Sequence, residues 1–128
     1  MSAMSDYLEN AFLSHFTGTT STSAPAAVYL GLSTASMNDD DSGTELSGSG
    51  YARQAITFAA AASASISTNS AAEFPAATGS WGSVSHWAIY DAATSGNQLF
   101  HGSFATAKTI ATGDILKVAS GDLTITAA

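Results

Sequence analysis

The chain has 128 residues, with ten acidic side chains, three basic ones and no cysteine. A net charge of -7, with only Arg53, Lys108 and Lys117 as fixed cations, excludes the clustered basic surface that phosphate-backbone binding needs. It also disfavours adsorption to an anionic membrane, and the lack of cysteine removes disulfide frameworks and thiolate metal sites. The length is that of one domain able to fold without staples.

The opening residues Met1 to Asp6 lack the basic region and apolar core of a signal peptide, and no run approaches the roughly 18 apolar residues of a membrane span. A cytosolic product is therefore expected. Its surface must be covered largely by Ser, Thr, Gly and Ala. Such a surface suits contact with other subunits, because desolvating charge at an interface core is costly.

Residues 5–16 read as a helix. Ser5 or Asp6 caps it, Asp6 and Glu9 complement the helix dipole, and Gly18 is the expected left-handed terminator. Leu8, Phe12 and Phe16 fall at i, i+4 and i+8 with Leu13 beside them, one apolar stripe. Three turns are marginal alone in water, so the stripe must pack on the β domain or on another chain. The segment 1–18 is thus read as a helical arm preceding a β domain at 19–128.

A Ser/Thr-rich loop closes with Pro25, and residues 26–33 form a strand with Val28, Leu30 and Leu32 on one face. Residues 34–50 are a long polar connection with Asp39, Asp40, Asp41 and Glu45; connections above about 12–15 residues are usually functional or mobile. Residues 51–59 alternate as a strand, and 59–72 read as a thin strand or ordered loop with Ala64, Ile66 and Thr68 on one side. A turn-rich corner around Trp81 leads into 83–90, the strongest strand. Val84, His86, Ala88 and Tyr90 are expected on one face, Trp87 and Ile89 on the other, so both sides are buried. Strands at 98–104, 108–111, 115–118 and 123–126 follow, with turns at Ser95-Gly96-Asn97, Gly113-Asp114 and Gly121-Asp122. About eight short strands after one helix predict a mainly β fold, at spacings typical of a sandwich or barrel, and the absence of strand-helix-strand alternation argues against a parallel α/β sheet.

The chemistry-bearing residues form no strong motif. His86 and His101 lie on strands that can be neighbours, but a metal site needs a third ligand and an oriented second shell. Gly48-Ser49-Gly50 is a flexible loop rather than a nucleophile elbow, and Gly43 to Gly50 lacks the lysine and helix of a phosphate loop. The acidic run 39–41 with Glu45 lacks EF-hand spacing and reads as solvated loop charge. Two carboxylates set for glycoside hydrolysis are not indicated, since the aspartates stand mostly at turns. The expectation is a protein that is not an enzyme and holds no cofactor or metal. The aromatics, Trp81 among them, are expected as core or interface anchors.

Several segments, in order, resemble a family of small virion proteins of tailed bacteriophages, described as capsid decoration (cement) proteins or as tail-fibre-like. They are Tyr7 to Asn10, Val28 to Thr34, Gly43 to Gln54, Phe74 to Val84, Ile89 to Thr94, and Lys108 to Ile110 through Gly113-Asp114. The Ala/Ser stretch at 59–72 and Trp87 depart from the pattern. The resemblance implies a jelly-roll-like sandwich that assembles with itself on a particle, and it transfers no catalytic residues. The leading expectation is a decoration protein, made in the host cytoplasm and bound to the capsid exterior, where it bridges major capsid protein subunits. It would act as a homo-oligomer, a trimer rather than a dimer, without direct nucleic-acid or membrane contact. The alternative is a tail or tail-fibre subunit that takes part in host attachment. Leu8, Phe12, Phe16, Asp39, Asp40, Asp41, Glu45, Tyr51, Arg53 and Trp81 are the expected interface residues.

Overall fold

A computed structural model describes residues 2–126. Its elements are β1 (Ser2–Met4), α1 (Asp6–Phe16), β2 (Val28–Ser33), β3 (Gln54–Ile56), β4 (Ser65–Ser67), β5 (Ala72–Glu73), β6 (Gly82–Tyr90), β7 (Gln98–Ile110), β8 (Lys117–Val118) and β9 (Thr124–Thr126). The chain is mainly β, with one helix near its N-terminus. A 5-stranded sheet has the order β1-β7-β6-β2-β3, with every pairing antiparallel. It is accompanied by two ladders of two strands, β4-β9 and β5-β8.

β6 is central because it carries bulk on both sides. Its pairing with β7 shifts register between Val84 and His86, where the single residue Ser85 stands opposite four residues of β7, 104–107. Val84 therefore joins Trp87 and Ile89 in the main core, while Ala88 and Tyr90 form a second cluster with Met37. The simple alternation expected for this strand placed Val84 on the opposite face; the register shift at Ser85 breaks that alternation.

The main core gathers Leu30 and Leu32 of β2, Ile56 of β3 and Ile110 of β7. Against them lie Phe74, Trp81, Leu116, Val118, Leu123 and Ile125 from the chain that carries the small ladders. Those ladders supply the second layer. Their turns repeat one device: in Ala111 to Asp114 and in Ala119 to Asp122 the aspartate carboxylate accepts from the alanine N–H, at 2.9 and 3.3 Å, while its own N–H donates back to the alanine carbonyl. The glycine before each aspartate takes φ of 89° and 83°.

Two further differences from the sequence reading have local causes. The strands expected at 98–104 and 108–111 are one strand, β7. Its register against β6 jumps from Lys108 to Ser103, leaving residues 104–107 as an unpaired excursion that resembles a break in the sequence. β1 has too few residues to show alternation, yet it pairs with β7 at Phe100 to Gly102. The Ala/Ser stretch does hold a thin strand, β4, as one side of a hairpin arm in which Phe58 bridges Thr68 and Ala62 bridges Ser65. Its tip, Ser63 and Ala64, takes φ of 52° and 60°, the two positive values a type I′ turn demands.

Candidate interaction surfaces

α1 begins where Ser5 is fixed. Ser5 is buried; its hydroxyl donates to the Gln98 carbonyl and accepts from the Leu8 N–H at 3.2 Å, and its own N–H donates to the Leu99 carbonyl. This cap holds the helix against the start of β7, so β1 and the cap tie the segment 2–18 into the sheet. The half-buried residues of α1 are Leu8, Ala11 and Ser14, spaced by three, and they face the β domain. No helix residue is buried. The other face leaves Phe12 50 %, Leu13 59 % and Phe16 72 % exposed, with Phe12 and Phe16 touching at a centroid distance of 4.9 Å. Glu9 lies three, four and seven positions before Phe12, Leu13 and Phe16, so its charge sits within this apolar face. Only Leu8 of the expected stripe turns inward.

The connection 34–50 is a strap across the back of the large sheet. Met37 is buried there on Ala88 and Tyr90. The Asp39 carboxylate meets His101 of β7, the Asn38 carbonyl accepts from Gln98 Nε2 at 2.7 Å, and the Asp39 carbonyl accepts from the Asp6 N–H at 2.8 Å. Asp40 and Asp41 remain exposed. Asp40 accepts from Ser42, which holds its carboxyl below the ordinary carboxylate range. Partial burial pushes the Asp41 carboxyl up; Arg53 opposes this, and Glu45 and Asp40 add to it. Between strap and helix lies a polar recess of about 310 Å³ lined by Ser5, Asp6, Asp39, Asp40 and Gln98. Among the described residues no three His, Asp or Glu side chains are grouped to hold a metal ion. His86 and His101 share one face of neighbouring strands but have separate partners: His86 meets Ser85 at 2.7 Å, and His101 meets Asp39.

Glu45, Tyr51 and Arg53 form one hydrogen-bonded network within the chain. Arg53 donates to both Glu45 carboxylate oxygens, at 2.8 to 3.1 Å, and to the carbonyls of Ala92 and Ser95. Its guanidinium stacks 3.4 Å from the centroid of the Tyr90 ring. Burial opposes the Arg53 charge, but Glu45 more than offsets it and holds the guanidinium above its ordinary pKa. The Tyr51 hydroxyl donates to Glu45 and accepts from the Leu32 N–H at 3.0 Å, while the Leu46 N–H donates to the Leu32 carbonyl. These two bonds finish the edge of β2 where β3 has ended. Burial first, and Glu45 second, push the Tyr51 and Tyr90 hydroxyls well above their ordinary values. Trp81 is only 5 % exposed; it packs edge-on against Tyr51 and Phe74 and donates Nε1–H to the Ser49 carbonyl at 2.9 Å. It is a core residue.

The expected interface set therefore divides. Phe12 and Phe16 share an open face of α1, and Asp40 and Asp41 stand on the strap that is bonded to the start of α1. Asp39, Glu45, Tyr51, Arg53 and Trp81 are engaged within the chain. The sequence reading passed over Tyr7 and Ile115, 46 % and 54 % exposed, and over the groove formed by Val84, Phe104, Leu116 and Val118 between Lys108 and Lys117. The one signal for that groove was that both lysines of a charge-poor chain fall within ten residues.

A sheet locked by internal polar ties, beside a helix whose aromatic face is uncovered, suits a building block, and the class is tailed-phage virion structural protein, tail-fibre-like. The particular family is the one described as podophage GP4 fiber I protein gp80. Its model matches residues 3–126, and the chain belongs to that family. No curated protein matches the chain.

Proposed function

We propose that this chain is a structural subunit of a virion fibre, and that it joins its partners through the open face of α1. The observation that carries the reading is the exposure of Phe12, Leu13 and Phe16 on a helix otherwise fixed at its cap. Monomers rarely leave a contiguous aromatic face in water, and aromatic anchors dominate interface energetics. Copies of the same chain are the first partners, with a closed trimer favoured. No catalytic step and no cofactor is assigned to the subunit. Antibody against the purified chain, imaged by gold on intact virions, should label projecting fibres; labelling spread evenly over the shell would overturn the assignment.

A second reading keeps the chain on the capsid exterior as a cement protein bridging major capsid subunits. What favours it is continuity of surface. The strap bearing Asp40 and Asp41 is bonded to the start of α1, so one subunit presents two neighbouring contact zones. Binding only to the assembled shell would stabilise that shell by mass action. Addition to shells lacking the protein, followed by a shift in their disruption temperature, tests this arm.

A further inference from the structure

The chain carries an aromatic helix face with acidic residues and, elsewhere, an apolar groove with lysines. α1 presents Phe12, Leu13 and Phe16 with Glu9 among them and Asp6 at its first turn. Elsewhere, beside the unpaired excursion of β7, Val84, Phe104, Leu116 and Val118 line a mainly apolar groove of about 270 Å³. The groove is smaller than the roughly 300–1,000 Å³ of small-molecule pockets, and is suited to a few anchoring side chains. Lys108 and Lys117, both exposed, line it together with one acid, Asp122, whose carboxylate accepts from the Ala119 N–H. The only other fixed cation, Arg53, is held by Glu45. Both lysines of an acidic protein thus stand at one apolar groove and outnumber its single acid, and an acidic aromatic helix face lies uncovered elsewhere.

We infer that α1 of one copy docks into the Lys108/Lys117 groove of the next, so that subunits join head to tail. This deepens the fibre-subunit reading and rests on it. The aromatic side chains fill the apolar floor while Glu9 and Asp6 meet the two lysines at the rim. Charge of opposite sign fixes orientation and rejects the helix-on-helix alternative, which would bring Glu9 against Glu9. Each copy carries one donor helix and one acceptor groove. Such a heterologous contact closes into a ring, the trimer among them, or propagates as a filament.

Sedimentation of the purified full chain tests this through two surface variants, Glu9→Lys and Lys108→Glu with Lys117→Glu. Each alone should reduce the assembly to the 12.9 kDa monomer while its circular dichroism stays that of the wild type. Mixing the two should restore the higher mass, because the intact helix of one variant meets the intact groove of the other. An assembly untouched by the lysine changes but lost in Phe16→Ser would mean that the helix docks elsewhere, and would overturn the groove as its seat. A wild-type chain that stays monomeric at high concentration would overturn self-association. Neither result would alter where gold-labelled antibody binds on the virion, so failure here is distinguishable from failure of the fibre assignment.

Discussion

Gly31 shows how one residue organises the back of the sheet. A methyl group there would lie 2.8 Å from the Glu45 carboxylate, 2.8 Å from Cε2 of Tyr90 and 3.1 Å from the Tyr51 hydroxyl. The close approach of strap and sheet thus depends on an absent side chain. Gly31→Ala should cost about 2 kcal/mol through overpacking, read as a lower urea midpoint. Asp41 makes an opposite case. Its folded carboxyl holds a proton more tightly than the unfolded one, so its contribution to stability is lost as pH rises from the ordinary carboxylate range through the raised folded value. Asp41→Asn removes that cost and keeps a residue tolerant of φ 62°. The variant should melt higher than the wild type at pH 7, with the difference gone near pH 3, where both side chains are neutral. Equal gains at both pH values would show that charge is not the cause.

At the scale of elements, the hairpin tip and the helix carry the clearest expectations. Ser63 and Ala64 occupy the left-handed region without the glycine or asparagine that region favours. Replacing them with Asn-Gly should stabilise the domain by about 1 kcal/mol, seen as a raised melting temperature. For α1, Phe12→Ser with Phe16→Ser removes exposed surface, so monomer stability should change by no more than about 0.5 kcal/mol, while self-association measured by sedimentation disappears. The helix itself was legible because its signals are local: a serine cap, acids in the first turn, a glycine terminator, and a 3.6-residue period. β6 was legible as a strand for the same reason. Its register shift was not, since Ser85 looks like any other residue of an alternating run. The excursion at 104–107 was read as a gap between strands because only pairing with β6 reveals that the chain continues along the same edge.

For the whole molecule, the N-terminal segment is a working part of the sheet. β1 covers the outer edge of β7 at Phe100 to Gly102, and Ser5 closes the cap. Deleting residues 1–5 should uncover that edge and release α1, giving a chain that aggregates on concentration, measured by light scattering. A deletion product as soluble and as stable as the full chain would contradict this. The charge-poor surface foreseen from composition is present, but its meaning comes from arrangement: Arg53 is held by an internal network, and the two lysines flank one groove.

Composition, periodicity and turn residues by themselves determined a mainly β, antiparallel chain with one capped amphipathic helix, and the ordered resemblance of its segments placed it among tailed-phage virion proteins. Those properties are encoded by neighbours in sequence, where a cap, a period or a glycine acts over a few residues. Which aromatics are core and which are open was decided only by tertiary structure. Trp81 and Phe16 are both aromatics beside a glycine-containing turn, yet one is enclosed by Tyr51 and Phe74 and the other faces solvent. Likewise Glu45 and Asp40 are both acids of one strap, and only the approach of Arg53 and Tyr51 separates an internal ion pair from a surface charge. Burial and pairing depend on segments dozens of residues apart meeting in space, and no local pattern records that meeting.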